Sequence, residues 1–239
     1  MNVALAKLCW PIAKWLAVAG VISATGCLNA STLQTARVLP PGDHQAVVGG
    51  GMTTFPGAPE GLGKALASLP YGEIAYRIGL LDGIDVGAHA TLIGTGGGDV
   101  KWQFLDDGPL AVATGLGFGY LQANSDSEDS TAASNTSSTS GTTSTPSKSS
   151  AEKPTLIDVV VPVYGSYDVG SHLTVYAAAK YLLRALTGGG GGTVWHNVGG
   201  TGGIKLGDDW GLMIESTFMR NFTESFNVLQ FNAAVYWSR

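Results

Sequence analysis

The chain has 239 residues, of which 44% are hydrophobic and 13% charged, with a formal net charge of −5. Soluble domains carry about 25% charged residues, so this chain offers fewer charges than a water-exposed surface normally requires. It has no internal run of about 18 apolar residues, which argues against a helical membrane protein, and its acidic balance argues against a nucleic-acid partner.

Residues 1–26 have the features of an export signal. Lys7 and Lys14 lie beside an apolar start, and residues 15–24 (WLAVAGVISA) form an apolar core of suitable length. We therefore predict that residues 1–26 are a signal peptide. Its removal takes away two positive charges and leaves a formal net charge of −7.

The cysteine that follows this signal is a candidate for lipidation. The small residues Ala24-Thr25-Gly26 directly precede Cys27, an arrangement that resembles the bacterial lipoprotein box. Cys9 lies within the signal, so Cys27 would be alone in the mature chain and could not form an internal disulfide. We predict that Cys27 is acylated. The alternative is ordinary signal-peptidase cleavage nearby, with Cys27 unmodified.

The next stretch breaks regular structure before the first strand. Residues 28–42 (LNASTLQTARVLPPG) are mostly polar and end in Pro-Pro-Gly. We predict a lipidated tether over residues 27–42, followed by a single domain over residues 43–239.

A β-hairpin over residues 71–93 gives the clearest secondary-structure signal in this domain. Ile74, Tyr76 and Ile78 alternate with polar or small residues, and the same alternation resumes after a turn that contains Asp82-Gly83. Each run has the length of a tilted strand that crosses a bilayer, about 9–11 residues.

Alternation of the same kind predicts ten strands, an even number, as in single-chain bacterial barrels. Strand five has only Ala and Gly at the inward positions 111–119, which suits a crowded interior. Pro162 in strand six predicts a local interruption of pairing. The predicted fold is all-β: an antiparallel transmembrane β-barrel of about ten strands. The predicted strands are 44–53, 71–80, 84–93, 99–105, 110–122, 156–166, 172–184, 194–206, 210–221 and 226–237.

Connection lengths predict the orientation of this barrel. Residues 123–154 are rich in Ser and Thr and cannot bury enough apolar surface to offset ordering, so we predict a disordered loop. Every long connection (54–70, 123–154 and 185–193) follows an odd-numbered strand. Because outer-membrane barrels have short periplasmic turns and longer external loops, we predict that the long loops are external. The lipid-anchored N-terminus would then lie at the periplasmic leaflet of a bacterial outer membrane.

Two stretches also carry a family resemblance: the leader Gln34-Thr35-Ala36-Arg37 with Leu39 and Gly42 after Cys27, and residues 69–87 with Glu73, Tyr76-Arg77, Gly79-Leu80 and Asp82. They are similar to bacterial outer-membrane β-barrel lipoproteins, small Gram-negative barrels with a lipidated N-terminal cysteine. The resemblance implies the fold and the location, but no specific activity. It implies as partners the outer-membrane lipids and the machineries that sort lipoproteins and assemble barrels.

The polar and charged residues on inward faces are predicted to line the interior. Because they carry both signs in an enclosed space, they would most simply pair with one another in a packed polar core. The functional alternative is a narrow path for small solutes, lined by the charges left unpaired. The predicted lumen-facing residues are Glu73, Arg77, Asp85, His89, Lys101, Asp158, Lys180, Arg184, Lys205 and Glu215.

The sequence predicts no catalytic residue, metal site or cofactor. Its four histidines lack the spacing of a zinc motif. No Gly-x-Ser-x-Gly elbow is present, and the glycine runs are not followed by the Lys-Ser/Thr of a phosphate loop. His172 and Asp158 could be neighbours on strands six and seven, but no serine completes a hydrolytic set with them.

Three function classes follow from these observations. We predict the first, a non-enzymatic, lipid-anchored outer-membrane β-barrel that is structural or a small passive pore. The alternatives are an outer-membrane lipid-modifying enzyme and a soluble lipocalin-like binding lipoprotein. A soluble barrel would place its apolar face inside, whereas here the almost charge-free face is predicted to point outward. That face bears Ile74, Tyr76, Val86, Trp102, Leu116, Val159, Leu173, Leu212 and Phe231.

Overall fold

A computed structural model describes residues 33–57, 69–92, 94–122, 155–188 and 192–239. The predicted signal peptide, Cys27, the start of the tether and the 123–154 loop lie outside these described residues. No helix in the described ranges is long and apolar enough to cross a membrane. The described strands are β1 (His44–Thr54), β2 (Leu69–Leu81), β3 (Ile84–Thr91), β4 (Gly96–Asp107), β5 (Leu110–Gln122), β6 (Thr155–Asp168), β7 (Leu173–Thr187), β8 (Thr193–Gly207), β9 (Trp210–Asn221) and β10 (Asn227–Ser238).

These ten strands form one closed antiparallel barrel. Each strand pairs with its neighbours in sequence, and β1 pairs with β10 from Gln45 opposite Ser238 to Thr54 opposite Leu229. Closure removes the free strand edges that an open sheet would expose. The prediction of an all-β, ten-stranded antiparallel barrel is therefore confirmed, and the predicted bounds of β5 and β9 agree with the observed ones.

Side chains alternate between the two faces of the barrel wall. In β2, Glu73 and Arg77 are buried inside, whereas Ile74 and Tyr76 point outward and are 54% and 49% exposed. The same alternation places large apolar side chains outside along the other strands, where they include Val48, Trp102, Phe118, Val161, Val198, Phe218 and Val235. An apolar exterior around a polar interior is the reverse of a soluble lipocalin-like barrel.

Three local predictions were wrong. The connection predicted over residues 185–193 is shorter, because β7 ends at Thr187 and β8 begins at Thr193. The turn predicted over residues 94–98 is shorter, because β4 already begins at Gly96 and its first glycines pair with both β3 and β5. Glycine has no side chain, so alternation gave no signal there. His172 was predicted as the first residue of strand seven, but it precedes β7, and its Nδ1 lies 2.8 Å from Oδ2 of Asp208 at the exposed short-turn end.

The interruption predicted at Pro162 is present on one side of β6. Pairing between β5 and β6 stops after Thr114 opposite Val163 and resumes at Gly117 opposite Val160. Pro162 has no N–H to donate, but its carbonyl accepts a 2.9 Å hydrogen bond from the Thr114 hydroxyl. On the other side, Pro162 stays paired with Lys180 of β7.

The two ends of the barrel differ in the length of their connections. The strands β2–β3, β4–β5, β6–β7 and β8–β9 are joined at one end, which we call the short-turn end; both His44 and Ser238 lie there. The connections over 55–68 and 123–154 lie at the opposite end, which we call the long-loop end.

Candidate functional site

The barrel interior is the candidate functional site, because the described part of the chain before β1 lies inside it. Residues 33–43, here the N-terminal segment, run from Leu33 inside the barrel to the short-turn end, where β1 begins. Ala36 is fully buried in a cluster with Ala111, Ala113, Tyr164 and Ala178. The small inward side chains of β5 therefore make room for the segment. The sequence predicted an irregular tether in this stretch, but it gave no sign that the tether would lie within the barrel.

Side chains of β3 and β4 hold the backbone of the N-terminal segment. The Lys101 ammonium donates to the carbonyl oxygens of Thr35 and Arg37, at 3.1 and 2.9 Å. The Val38 N–H donates to the Gln103 side-chain oxygen at 2.8 Å, and the Leu39 N–H donates to Asp85 at 3.2 Å. These bonds satisfy backbone groups that no strand ladder reaches.

The opposite wall holds the other end of the segment. The Leu33 N–H donates a 2.9 Å hydrogen bond to Oε2 of Glu215 in β9. Glu215 also accepts hydrogen bonds from Tyr176, Thr217 and Asn232. The Leu33 side chain packs with Val47, Tyr176, Met213 and Tyr236. Because β3 and β4 lie across the barrel from β9, the segment crosses the interior from wall to wall.

Arg37 fastens the segment to the short-turn end. Its Nε donates to Asp168 at 2.6 Å and its Nη1 to Asp106 at 2.7 Å, while Nη2 donates to the Gly108 carbonyl. Partial burial lowers the pKa of Arg37, but the hydrogen bonds and charges of Asp106 and Asp168 outweigh it and raise the pKa above its ordinary value. Arg37 therefore keeps its charge and connects the ends of β4 and β6.

A glycine in β2 lets the segment approach the wall closely. The Gly42 N–H donates to the Gly79 carbonyl and the Gly79 N–H to the Asp43 carbonyl, both at 2.9 Å. A Cβ added at Gly79 would collide with the carbonyl oxygens of Leu39 and Pro40. Any larger residue would therefore displace the segment.

Three of the predicted lumen-facing residues form one buried network. Asp85 is 0% exposed, accepts a hydrogen bond from Nη1 of Arg77, and lies 3.3 Å from the Lys101 ammonium. Arg77 also pairs with Asp99 through Nη2. The network connects β2, β3 and β4 directly beside the N-terminal segment.

A second pair lies nearer the long-loop end. Arg184 donates from Nε and Nη2 to the two carboxylate oxygens of Asp158, at 2.7 and 2.5 Å. Lys180, also buried, lies within electrostatic range of Glu215 and Glu73.

The two remaining predicted residues occupy different levels of the interior. His89 is partly buried on the inward face of β3, within electrostatic range of Asp99. The Lys205 ammonium lies 4.6 Å from the centre of the Tyr236 ring near the short-turn end. The structure thus distributes the predicted residues along the interior and does not gather them into one centre.

A cavity remains on the long-loop side of the N-terminal segment. Leu33 and Gln34 of the segment line this cavity, and its wall also includes Glu73, His89, Lys180, Leu182 and Met219. The N-terminal segment therefore forms part of the wall of this cavity.

Sequence reasoning missed several residues that hold this arrangement. Asp99 and Gln103 lie at alternate positions with Lys101 in β4, so the same period could have identified them as inward-facing residues. Arg37 gave no such signal, because its partners Asp106 and Asp168 lie far along the chain and the segment has no periodic pattern.

The described residues form no arrangement suited to metal binding, since no group of three or more His, Cys, Asp or Glu side chains among them could hold an ion. The possible neighbours His172 and Asp158 lie toward opposite ends of the barrel. His172 pairs with Asp208 and Asp158 pairs with Arg184, so the two do not form a catalytic pair.

Neither a protein-family model nor a curated protein sequence matches the chain. Among solved structures, the chain is similar to the attachment invasion locus protein Ail of Yersinia pestis, with 6% identity and a TM-score of 0.38 over 83% of this chain and 99% of Ail. The outer membrane protease OmpT of Escherichia coli has 10% identity and a TM-score of 0.39 over 87% of this chain and 100% of OmpT. Neisserial surface protein A has 10% identity and a TM-score of 0.36 over 82% of this chain and 98% of the Neisserial protein.

At these identities and TM-scores, function must be argued from the chain's own residues. Those residues give a closed ten-stranded antiparallel β-barrel with an apolar exterior, a charge-paired interior and an internal N-terminal segment.

Proposed function

We propose that this protein is a lipid-anchored outer-membrane β-barrel that acts as a structural membrane protein and is closed to solutes by its own N-terminal segment. The path of that segment across the interior, from Asp85 and Lys101 to Glu215, carries the proposal. Side chains alone just fill a barrel of about eight strands, so a ten-stranded barrel needs additional material. The segment supplies it, which favours a structural role over a passive pore.

The exterior supports a membrane location. Apart from Asp107 at the end of β4, Arg220 is the one charged side chain at an outward position of the described strands. A charge on the lipid face costs about 2–4 kcal/mol at the bilayer midplane, so an almost charge-free face fits that environment. Outward aromatic residues are grouped toward each end, as in membrane barrels. They include Tyr76, Trp102, Tyr167, Trp210 and Trp237 at the short-turn end, and Tyr120, Tyr181, Phe218, Phe222 and Phe231 at the other.

The orientation follows from the connections. Short turns at one end are typical of the periplasmic side of outer-membrane barrels. The N-terminal segment leads into β1 at that same end. An anchor on Cys27 at the periplasmic leaflet, with the 123–154 loop external, is therefore the arrangement we propose.

Ion conductance in planar bilayers tests closure. We expect the wild-type protein to insert without a stable current, and a variant that lacks residues 28–40 to conduct, because the cavity then opens toward the short turns. Deletion of residues 123–154 is the matched control, since it removes chain from the opposite end and should leave the current unchanged. A wild-type protein that conducts like the 28–40 deletion would show that the segment does not close the barrel.

Metabolic labelling with a fatty-acid analogue tests the anchor. We expect Cys27→Ala to abolish the label while the barrel still inserts, because acylation needs the thiol and no described strand includes this position. Cys9→Ala is the control and should keep the label, since residue 9 belongs to the predicted signal. Persistent labelling of the Cys27→Ala variant would contradict the proposal.

A further inference from the structure

We propose that the outward face of β7, β8 and β9 near the long-loop end binds the phosphate group of a membrane lipid. The site, here the headgroup patch, consists of Tyr181, His196, Arg220 and Phe222, all exposed on the outside of the barrel. The inference rests on the proposed membrane location, because the patch needs a bilayer around it.

Strand register brings these residues together. Tyr181 lies opposite Val198, and Val198 lies opposite Arg220, so these three outward residues form a row across three strands. In the next row toward the long loops, the backbone N–H of Phe222 donates to the His196 carbonyl at 2.9 Å. Diagonal neighbours on adjacent strands are about 7–8 Å apart, which long side chains can bridge.

The contacts within the patch orient its polar atoms. The Tyr181 hydroxyl and Nδ1 of His196 form a 2.6 Å hydrogen bond, with the two rings 6.1 Å apart. With Nδ1 engaged, Nε2 is the ring nitrogen left for a ligand. The Arg220 guanidinium lies 5.7 Å from the centre of the Phe222 ring, a cation–π arrangement that leaves its N–H groups free to point outward.

Among the described residues, Arg220 lacks the carboxylate counter-ion that Arg37, Arg77 and Arg184 have. The ion pairs within the described ranges include Arg37, Arg77 and Arg184 but not Arg220. A guanidinium at the edge of an apolar belt is best matched by a planar or tetrahedral oxyanion that accepts two N–H bonds. In a bilayer, the anion found at that level is the phosphate of a lipid headgroup. Tyrosine and other amphipathic aromatic side chains favour the same level.

The same set of residue types recurs at the short-turn end. The Tyr76 hydroxyl bonds to Nδ1 of His44 at 2.7 Å, and the two rings are 5.8 Å apart. Arg239 lies opposite His44, with backbone hydrogen bonds of 2.6 and 2.9 Å between them, and Trp237 precedes it on β10. A tyrosine–histidine pair next to an arginine and an aromatic residue thus lies at each end of the apolar belt. That recurrence is expected if the combination serves the headgroup levels of the two leaflets.

The experiment uses the full chain reconstituted in phosphatidylcholine vesicles, with spin-labelled phosphatidic acid or spin-labelled phosphatidylcholine as reporter. We expect the wild-type protein to immobilise the phosphatidic acid label preferentially. In an Arg239→Gln background, which removes the arginine of the short-turn end, Arg220→Gln should reduce that preference roughly tenfold, the loss expected for charge-assisted hydrogen bonds. Arg220→Lys should retain part of it, because one charge remains without the bidentate fork.

Lys205→Gln is the charge-matched control, since it removes one positive charge from the interior and should leave the preference intact. Equal loss in Lys205→Gln and Arg220→Gln, or no headgroup preference in the wild type, would overturn the headgroup patch. Full competition by inorganic phosphate would assign the patch to free phosphate and overturn the lipid assignment. If neither label is immobilised, the protein does not contact lipid and the proposed function itself fails, which distinguishes the two outcomes.

Discussion

Asp85 serves two parts of the molecule at once. Its carboxylate pairs with both Arg77 and Lys101 in the barrel wall, and it accepts a hydrogen bond from the backbone N–H of Leu39 in the N-terminal segment. An ionised group that is 0% exposed is tolerated only where partners of this kind surround it. The wall and the segment therefore depend on the same side chain.

Replacing this residue should be costly. We expect Asp85→Ala to lower the free energy of unfolding by about 3–5 kcal/mol, because it leaves Arg77 and Lys101 as buried charges without their shared partner. Asp82→Ala, in the exposed turn three residues earlier, is the control and should change stability by about 0.5 kcal/mol or less. Urea unfolding in detergent micelles measures both. Equal effects at the two positions would show that the network contributes little.

At the scale of elements, the alternation of apolar with polar or small residues located most of the strands. It could not locate segments that lack such a pattern. The bounds of β5 were predicted because large and small residues alternate over its length, and those of β9 because turn residues precede and follow it, at 207–209 and 223–224. The start of β4 was missed because consecutive glycines carry no signal. The interior position of the N-terminal segment was missed for a different reason. Its hydrogen-bond partners include Gln103 and Glu215, which are distant from it in sequence. They come close to the segment only when the barrel has formed.

The β5–β6 hairpin allows a direct test at this scale. Gln122 and Thr155 are cross-strand partners, so the chain leaves β5 and enters β6 at adjacent points. We expect that replacing residues 123–154 with Asn-Gly, which favours a two-residue hairpin turn, preserves the barrel. Heat-modified migration on gels and circular dichroism would detect the folded form. Replacement of the same residues with Pro-Pro is the control, and β5 and β6 should pair poorly in that variant. Loss of folding in the Asn-Gly variant as well would contradict the prediction.

At the scale of the whole molecule, the two faces of the wall meet different environments. Val48 is 61% exposed and outward, while its neighbour Val47 is buried inside. Because the side-chain period of a strand is two, a shift of register by one residue would exchange them. The charges predicted for the interior were identifiable from the same period, whereas their pairing depends on distances between strands that the sequence does not contain.

Single cysteines at these positions test the orientation of the wall. In a Cys27→Ala background, we expect Val48→Cys to react with a lipid-restricted reagent and Val47→Cys to remain unlabelled, because only the first side chain faces lipid. Labelling in detergent-unfolded protein is the control and should reach both positions. Equal labelling of the folded variants would exclude a barrel wall with lipid on the side that bears Val48.

The internal position of the N-terminal segment constrains the order of assembly. The barrel is closed by pairing between β1 and β10, the two strands most distant in sequence, and such long-range pairing forms slowly. Once that seam has formed, the segment can enter only end-on. Arg37 can reach Asp106 and Asp168 as soon as β4 and β6 are in place, whereas the bond from Leu33 to Glu215 must wait for β9. The segment can therefore act as a template around which the last strands close. Its release from the closed barrel would then also be end-on and would have to break the bonds at Glu215, Lys101 and Asp106 together, so we expect a slow off-rate for the segment.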